Sequence, residues 1–236
     1  MTAIEKLIDI ATKEVGYLEK KNSNSLYDKT ANAGSSNYTK YGYEMHKLYP
    51  TTMDYPAAWC DCFVDWCFVQ AFGKDKAMKM LHKFDDYTVN SAGYYKNNKE
   101  WYKSPKVGDQ IFFTDSKGGI CHTGIVYAVD NSYVYTIEGN TSSASGVVAN
   151  GGCVAKKKYS LAYNRIAGYG RPNYNLVEEK KKLETGNDIV WELVNGKHKI
   201  KIDDQKRAIK ALDLAKNNQE FLSLYWIIYK VVNGNG

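Results

Sequence analysis

Cys60 stands near the start of a run, Trp59 to Gly73, that is apolar on nearly every side, with Pro56 before it and glycine at its end. Proline before and glycine just after an apolar run are helix start and stop signals, so the thiol is expected in the first turn of a buried helix. Cysteine attacks as its thiolate, and the partial positive charge of a helix N-terminus favours that form. The free N–H groups of the same turn could hold the oxyanion of acyl transfer. His122 opens a later apolar segment beside Gly118-Gly119, a setting that His46, His82 and His198 lack. Glu138-Gly139-Asn140 closes the segment after that. A thiol, an imidazole and a carboxylate or amide are the parts of a nucleophile, base and orienter, and either Glu138 or Asn140 could take the third place.

Those parts need a scaffold that brings them together. Ile4, Leu7, Ile8, Ala11 and Val15 recur at helical spacing, which predicts an amphipathic helix over 2–16. Residues 17–58 read as long polar and aromatic loops with one short helix around 41–48. From about residue 104 the period shortens to that of strands: 106–113, 122–129, 133–138 and 166–169, with a hairpin in 147–159 turning at Asn150-Gly151-Gly152. Asp130-Asn131-Ser132 turns the second of these into the third and so returns Glu138 to the His122 end. Helices first and antiparallel strands after them predict an α+β fold.

Four blocks stand in order: Trp59-Cys60-x-x-Phe63-Val64-x-Trp66, Pro105-x-x-Gly108-Asp109-x-Ile111-Phe112-Phe113, His122-Thr123-Gly124-Ile125-Val126 and Ile137-Glu138-Gly139-Asn140-Thr141. Together they resemble the CHAP family of cysteine, histidine-dependent amidohydrolases and peptidases, over about residues 4–172. The resemblance implies a papain-like fold, with N-terminal helices packed on an antiparallel sheet of about five to six strands. It implies Cys60 as nucleophile, His122 as base, Glu138 or Asn140 as orienter, and Asp109 as a structural residue at a strand entry. It also implies hydrolysis of an amide in the bacterial wall peptide, either the muramoyl–alanine link or a peptide bond, through an acyl-enzyme. Tyr38, Tyr41 and Trp59 are expected to line the substrate cleft, because aromatic rings stack on sugars.

The 236 residues exceed one small domain. The expected division is a catalytic domain over 1–172, a polar linker over 173–187 and a small α+β or helical module over 188–236 for wall binding or homo-oligomerisation. Trp191, Tyr225, Trp226 and Tyr229 would serve that module as wall contacts or as its own core. The net charge of +6 is spread along the chain without a basic arm or a recognition motif, so no nucleic-acid partner is expected. No apolar run reaches the roughly 18 residues of a membrane span. Five cysteines cannot all pair within one chain, and they form neither paired C-x₂₋₄-C knuckles nor, with the acidic residues, an EF-hand loop, so no metal and no cofactor is expected.

The N-terminus has no signal-peptide pattern. The expectation is therefore an endolysin-type peptidoglycan hydrolase of phage or prophage origin, made in the cytoplasm and acting on the Gram-positive wall after release. A catalytically silent wall-binding protein and a cysteine protease of protein substrates are the alternatives.

Overall fold

The computed structural model describes residues 1–177. The chain divides into two units, 1–178 and 179–236. The first unit is α+β. Five helices, α1 (Ala3–Glu14), α2 (Lys40–Leu48), α3 (Cys60–Phe72), α4 (Lys74–Leu81) and α5 (Thr88–Asn97), precede six strands. The strands are β1 (Trp101–Tyr102), β2 (Gln110–Thr114), β3 (Ile120–Val129), β4 (Tyr133–Thr141), β5 (Cys153–Ser160) and β6 (Ile166–Gly170). They form one antiparallel sheet in the order β1-β6-β2-β3-β4-β5. No helix among the described residues is long and apolar enough to cross a membrane.

Local chemistry explains where the helices begin and end. Thr2 and Glu5 form a reciprocal capping box at α1, each side chain accepting from the other's backbone N–H. Thr39 caps α2 through its hydroxyl, which accepts from the Gly42 N–H. Helix α3 buries ten of its thirteen residues and stops at Gly73, whose positive φ of 76° suits glycine. Its first turn lies hard against β4: a Cβ at Gly139 would come within 2.6 Å of Phe63 Cβ. Glycine at 139 is what lets the helix start sit on that strand.

The main core fills the space between the helices and the sheet and is rich in aromatics. Tyr41 packs against Tyr17, Trp59, Phe63 and Trp66 at centroid separations of 4.8–5.5 Å. The polar tips are satisfied inside it. Tyr41 donates to Glu14 and the Trp59 indole N–H donates to Glu19. A smaller cluster, including Ile111, Phe113, Val126, Val134, Tyr159 and Tyr169, forms a second core.

Several sequence expectations are corrected. Helix α4, with Ala77, Met80 and Leu81 buried on one face, adds to the expected elements, as do α5 and the two-residue β1, which carry little periodicity. Val147 lies in the 142–152 connection outside the strands, so the expected hairpin over 147–159 is replaced by a longer loop from β4 to β5. Residues 173–177, part of the expected linker, fold onto the first unit. Tyr174 packs against Phe68 and Phe72 and donates to the Gly108 carbonyl. The rest of the expected linker and the 188–236 module lie outside the described residues.

Candidate active site

Cys60 is the first residue of α3. Trp59 precedes it in non-helical geometry and offers no side-chain cap. The N–H groups of the first turn are therefore not taken by a cap and surround the thiol with the positive end of the helix. Cys60 is nearly buried, at 4% exposure.

His122 and Glu138 come from neighbouring strands of the sheet, β3 and β4, and both are fully buried. His122 Nε2 lies 2.9 Å from Glu138 Oε2. The ring lies over Phe113, its partner across β2 and β3, at a centroid separation of 6.0 Å. With Nε2 committed to Glu138, Nδ1 is the nitrogen left for the thiol. Nδ1 is buried and has no aligned hydrogen bond among the described residues. Burial pulls the imidazole pKa down, but the nearness of Cys60, the bond to Glu138 and the negative charge of both groups outweigh it and push it up to about 10. The shift favours the protonated ring. Catalytic hydrogen bonds are often long or poorly aligned before substrate is bound.

Glu138 is itself held. Oε1 accepts from Thr136 Oγ1 at 2.5 Å, and Oε2 accepts from Tyr159 OH at 3.2 Å as well as meeting the histidine. Burial beside this carboxylate pushes the Tyr159 phenol far up, so it stays a donor. Thr136 lies two residues before Glu138 on the same face of β4, a spacing visible in the sequence. Tyr159 comes from β5, and nothing local in the sequence marks it.

Gly124 is the other residue missed. A Cβ there would come within 2.5 Å of Glu138 Cγ and 3.0 Å of the Ile137 carbonyl oxygen. The glycine in His122-Thr123-Gly124 thus leaves the space through which Glu138 reaches the imidazole. Gly124→Ala is expected to displace the carboxylate and lower hydrolysis by about tenfold or more while the protein stays folded. Paired rate and melting measurements check this; an unchanged rate would show that the close approach is unimportant.

The structure separates the two candidates for the third position geometrically. Glu138 bonds to His122, whereas Asn140 makes no side-chain hydrogen bond among the described residues, although both its amide atoms are buried. Asn140 has a φ of 53°, and its carbonyl accepts from the Gly151 N–H. It shapes the end of β4 rather than gripping the ring.

The cleft expectation is corrected for two residues. Tyr41 and Trp59 are fully buried core side chains, tied to Glu14 and Glu19, and have no face for a ligand. Tyr38 is half-buried and packs edge-on against Tyr55 at 5.6 Å. Asp109 stands at the entry to β2, where it accepts from the Lys106 N–H and from two nitrogens of Arg171 at 2.8 and 2.9 Å. Cys121 meets Arg165 at 3.8 Å. All five cysteines are free thiols.

Residues 50–140 match the CHAP domain, a stretch that contains Cys60, His122, Glu138 and Asn140. The match supports a CHAP-domain protein, and the family suggests cysteine, histidine-dependent amidohydrolase or peptidase activity. The α+β architecture of five helices and a six-stranded antiparallel sheet is consistent with the papain-like CHAP fold. A solved structure titled "The crystal structure of Ly7917" is similar at 12% identity and a TM-score of 0.42, over 74% of this chain and 63% of that one. The chain therefore spans less than two thirds of that protein's length. No curated protein matches the chain.

Proposed function

We propose that this protein hydrolyses an amide bond of peptidoglycan, as an N-acetylmuramoyl-L-alanine amidase or an endopeptidase, by thiol catalysis. The observation that carries the reading is His122, held at Nε2 by Glu138 and raised in pKa by both Glu138 and the thiol at the start of α3. The CHAP match over the same residues supports the wall substrate class. A phage or prophage endolysin acting on the Gram-positive wall is the particular form proposed.

In this reading Cys60 is a thiolate paired with the His122 imidazolium. The sulfur adds to the scissile carbonyl carbon, and the carbonyl oxygen takes up the electron pair near the N–H groups of the first turn of α3. Collapse of that intermediate breaks the C–N bond. The leaving nitrogen takes its proton from the imidazolium, and a thioester to Cys60 remains. Neutral His122 then removes a proton from water as the water oxygen attacks the thioester. The acid is released, and thiolate and imidazolium are restored. Glu138 keeps the ring in one orientation and stabilises its positive form.

The test is mass spectrometry of purified Gram-positive peptidoglycan after digestion, with Cys60→Ala as control. The expected result is new termini made only by the native protein, and the mass of the new ends names the bond. No new termini across several wall types would move the reading to a silent wall-binding protein. Cleavage of casein with intact walls would favour a protease of protein substrates.

A further inference from the structure

Between the helices and the sheet lies a buried polar chain, none of whose members touches a reacting atom in the chemistry proposed above. Gln110, the first residue of β2, occupies its centre. The Gln110 amide nitrogen donates to Asp61 Oδ1 at 2.9 Å and to Thr123 Oγ1 at 3.0 Å. Its amide oxygen accepts from Tyr95 OH at 3.1 Å. Asp61 accepts in addition from Ser91 Oγ at 2.6 Å, and Thr123 donates to the Ile111 carbonyl at 2.8 Å.

The direction of each bond is determined. The Thr123 hydroxyl hydrogen goes to the carbonyl of Ile111, so its oxygen can only accept from Gln110. Burial holds the Tyr95 phenol well above its usual range, which keeps it a donor to the glutamine oxygen. Both protons of the Gln110 amide are thereby used, one on each arm. All five side chains are buried. Burial pushes the Asp61 carboxyl up to about 7 against the opposing hydrogen bonds from Ser91 and Gln110, so this carboxyl is retained at an energetic cost.

Asp61 directly follows Cys60 in α3, and Thr123 directly follows His122 in β3. One side chain therefore ties the residue next to the thiol to the residue next to the imidazole. We propose that Gln110 is a positioning residue for the Cys60–His122 pair, its amide acting as a strut that sets the separation of α3 from β3 at the site. The inference rests on the thiol-catalysis reading. A two-armed amide of fixed length holds that separation, and a misplacement of about 1 Å can cost a reaction about a hundredfold.

The test uses the full chain, iodoacetamide as the thiol probe and solubilised Gram-positive peptidoglycan fragments as substrate. Alkylation is read at Cys60 by peptide mass as a function of pH. In the native protein the pairing with His122 should make Cys60 react more readily than an ordinary thiol of pKa ~8.5. Gln110→Met keeps the side-chain volume and removes both arms; Thr123→Val removes the oxygen at one end with little change of shape.

Both variants should lower kcat about ten- to a hundredfold with KM changed less than about twofold, and should move Cys60 alkylation toward the profile of an ordinary thiol. Thr123→Ser, which keeps the hydroxyl, should restore both. Thr39→Val makes the same chemical change at the buried cap of α2 and should leave both near native. Native kcat and a native alkylation profile in folded Thr123→Val or Gln110→Met would overturn the strut. So would equal losses in Thr123→Ser and Thr123→Val, or a Thr39→Val profile that shifts as far. A native protein that neither reacts at Cys60 more readily than an ordinary thiol nor cleaves the fragments would instead overturn the thiol-catalysis reading, and the strut with it.

Discussion

Cys60→Ala is expected to abolish peptidoglycan cleavage, by at least about 10³-fold, in a protein that remains folded. Alanine is a good helix residue, and the thiol occupies the start of α3 without a hydrogen bond that the fold depends on. What is lost is the sulfur that forms the thioester in the proposed reaction. His122→Ala should cost a similar factor, because a thiol without its imidazolium is mostly protonated at neutral pH and the leaving nitrogen finds no proton donor. The two losses should not multiply. Groups that act as one unit are each as damaging alone as together, so the double variant should be about as slow as either single one. Rates of release of new wall termini, with circular dichroism as a fold check, decide the matter. A residual rate above about a few per cent in both single variants would exclude this pair as the reacting groups.

Glu138→Gln carries the second largest expected effect, a fall of about 10²- to 10⁴-fold, together with a shift in pH dependence. Glutamine keeps the shape but removes the charge that favours the imidazolium, and its amide must find a new arrangement among Thr136, Tyr159 and His122. In the native protein the His122 pKa is raised from 6.5 to about 10, through Cys60 and Glu138 against the opposing effect of burial. A group raised on folding contributes stability fully below its unfolded value and loses it as pH rises through the folded value. The His122 contribution is therefore complete below about pH 6.5 and gone above about pH 10. Lowering the folded value in Glu138→Gln should narrow that window. The alkaline limb of the kcat/KM profile should move toward acid, and the fall in denaturation midpoint across the window should become shallower. Asn140→Gly tolerates the positive φ at that position, and it should leave the alkaline limb in place. If Asn140→Gly moves the limb and Glu138→Gln does not, the orienting role belongs to the amide.

How much of this was legible in the sequence depends on whether the cause was local. Helix α3 shows itself through its apolar run between Pro56 and Gly73. The placement of Glu138 at the His122 end follows from the Asp130-Asn131-Ser132 turn and strand alternation. Tyr41, in the polar and aromatic stretch 37–41, and Trp59, next to the candidate nucleophile, look the same in the sequence whether they face a cleft or the core. Their acceptors, Glu14 and Glu19, lie 27 and 40 residues away and carry no local signal. Thr136 could have been found from its i, i−2 relation to Glu138. Tyr159 could not, since its approach depends on the pairing of β4 with β5 across the 142–152 loop.

The amino-acid sequence alone determined the order of helices before strands, the buried helix that begins at Cys60 and the β-turn that pairs His122 with the Glu138–Asn140 segment. Periodicity, turn chemistry and capping act within a few residues, and their record is local. Only the tertiary structure decided that Glu138 rather than Asn140 bonds to His122, that Gly124 clears its path, and that Gln110 bridges the neighbours of Cys60 and His122. These depend on side chains from α3, α5, β2, β3, β4 and β5 meeting at hydrogen-bond distance. Such distances are set by strand register and by the seating of a helix on a sheet, which arise from the packing of the whole domain.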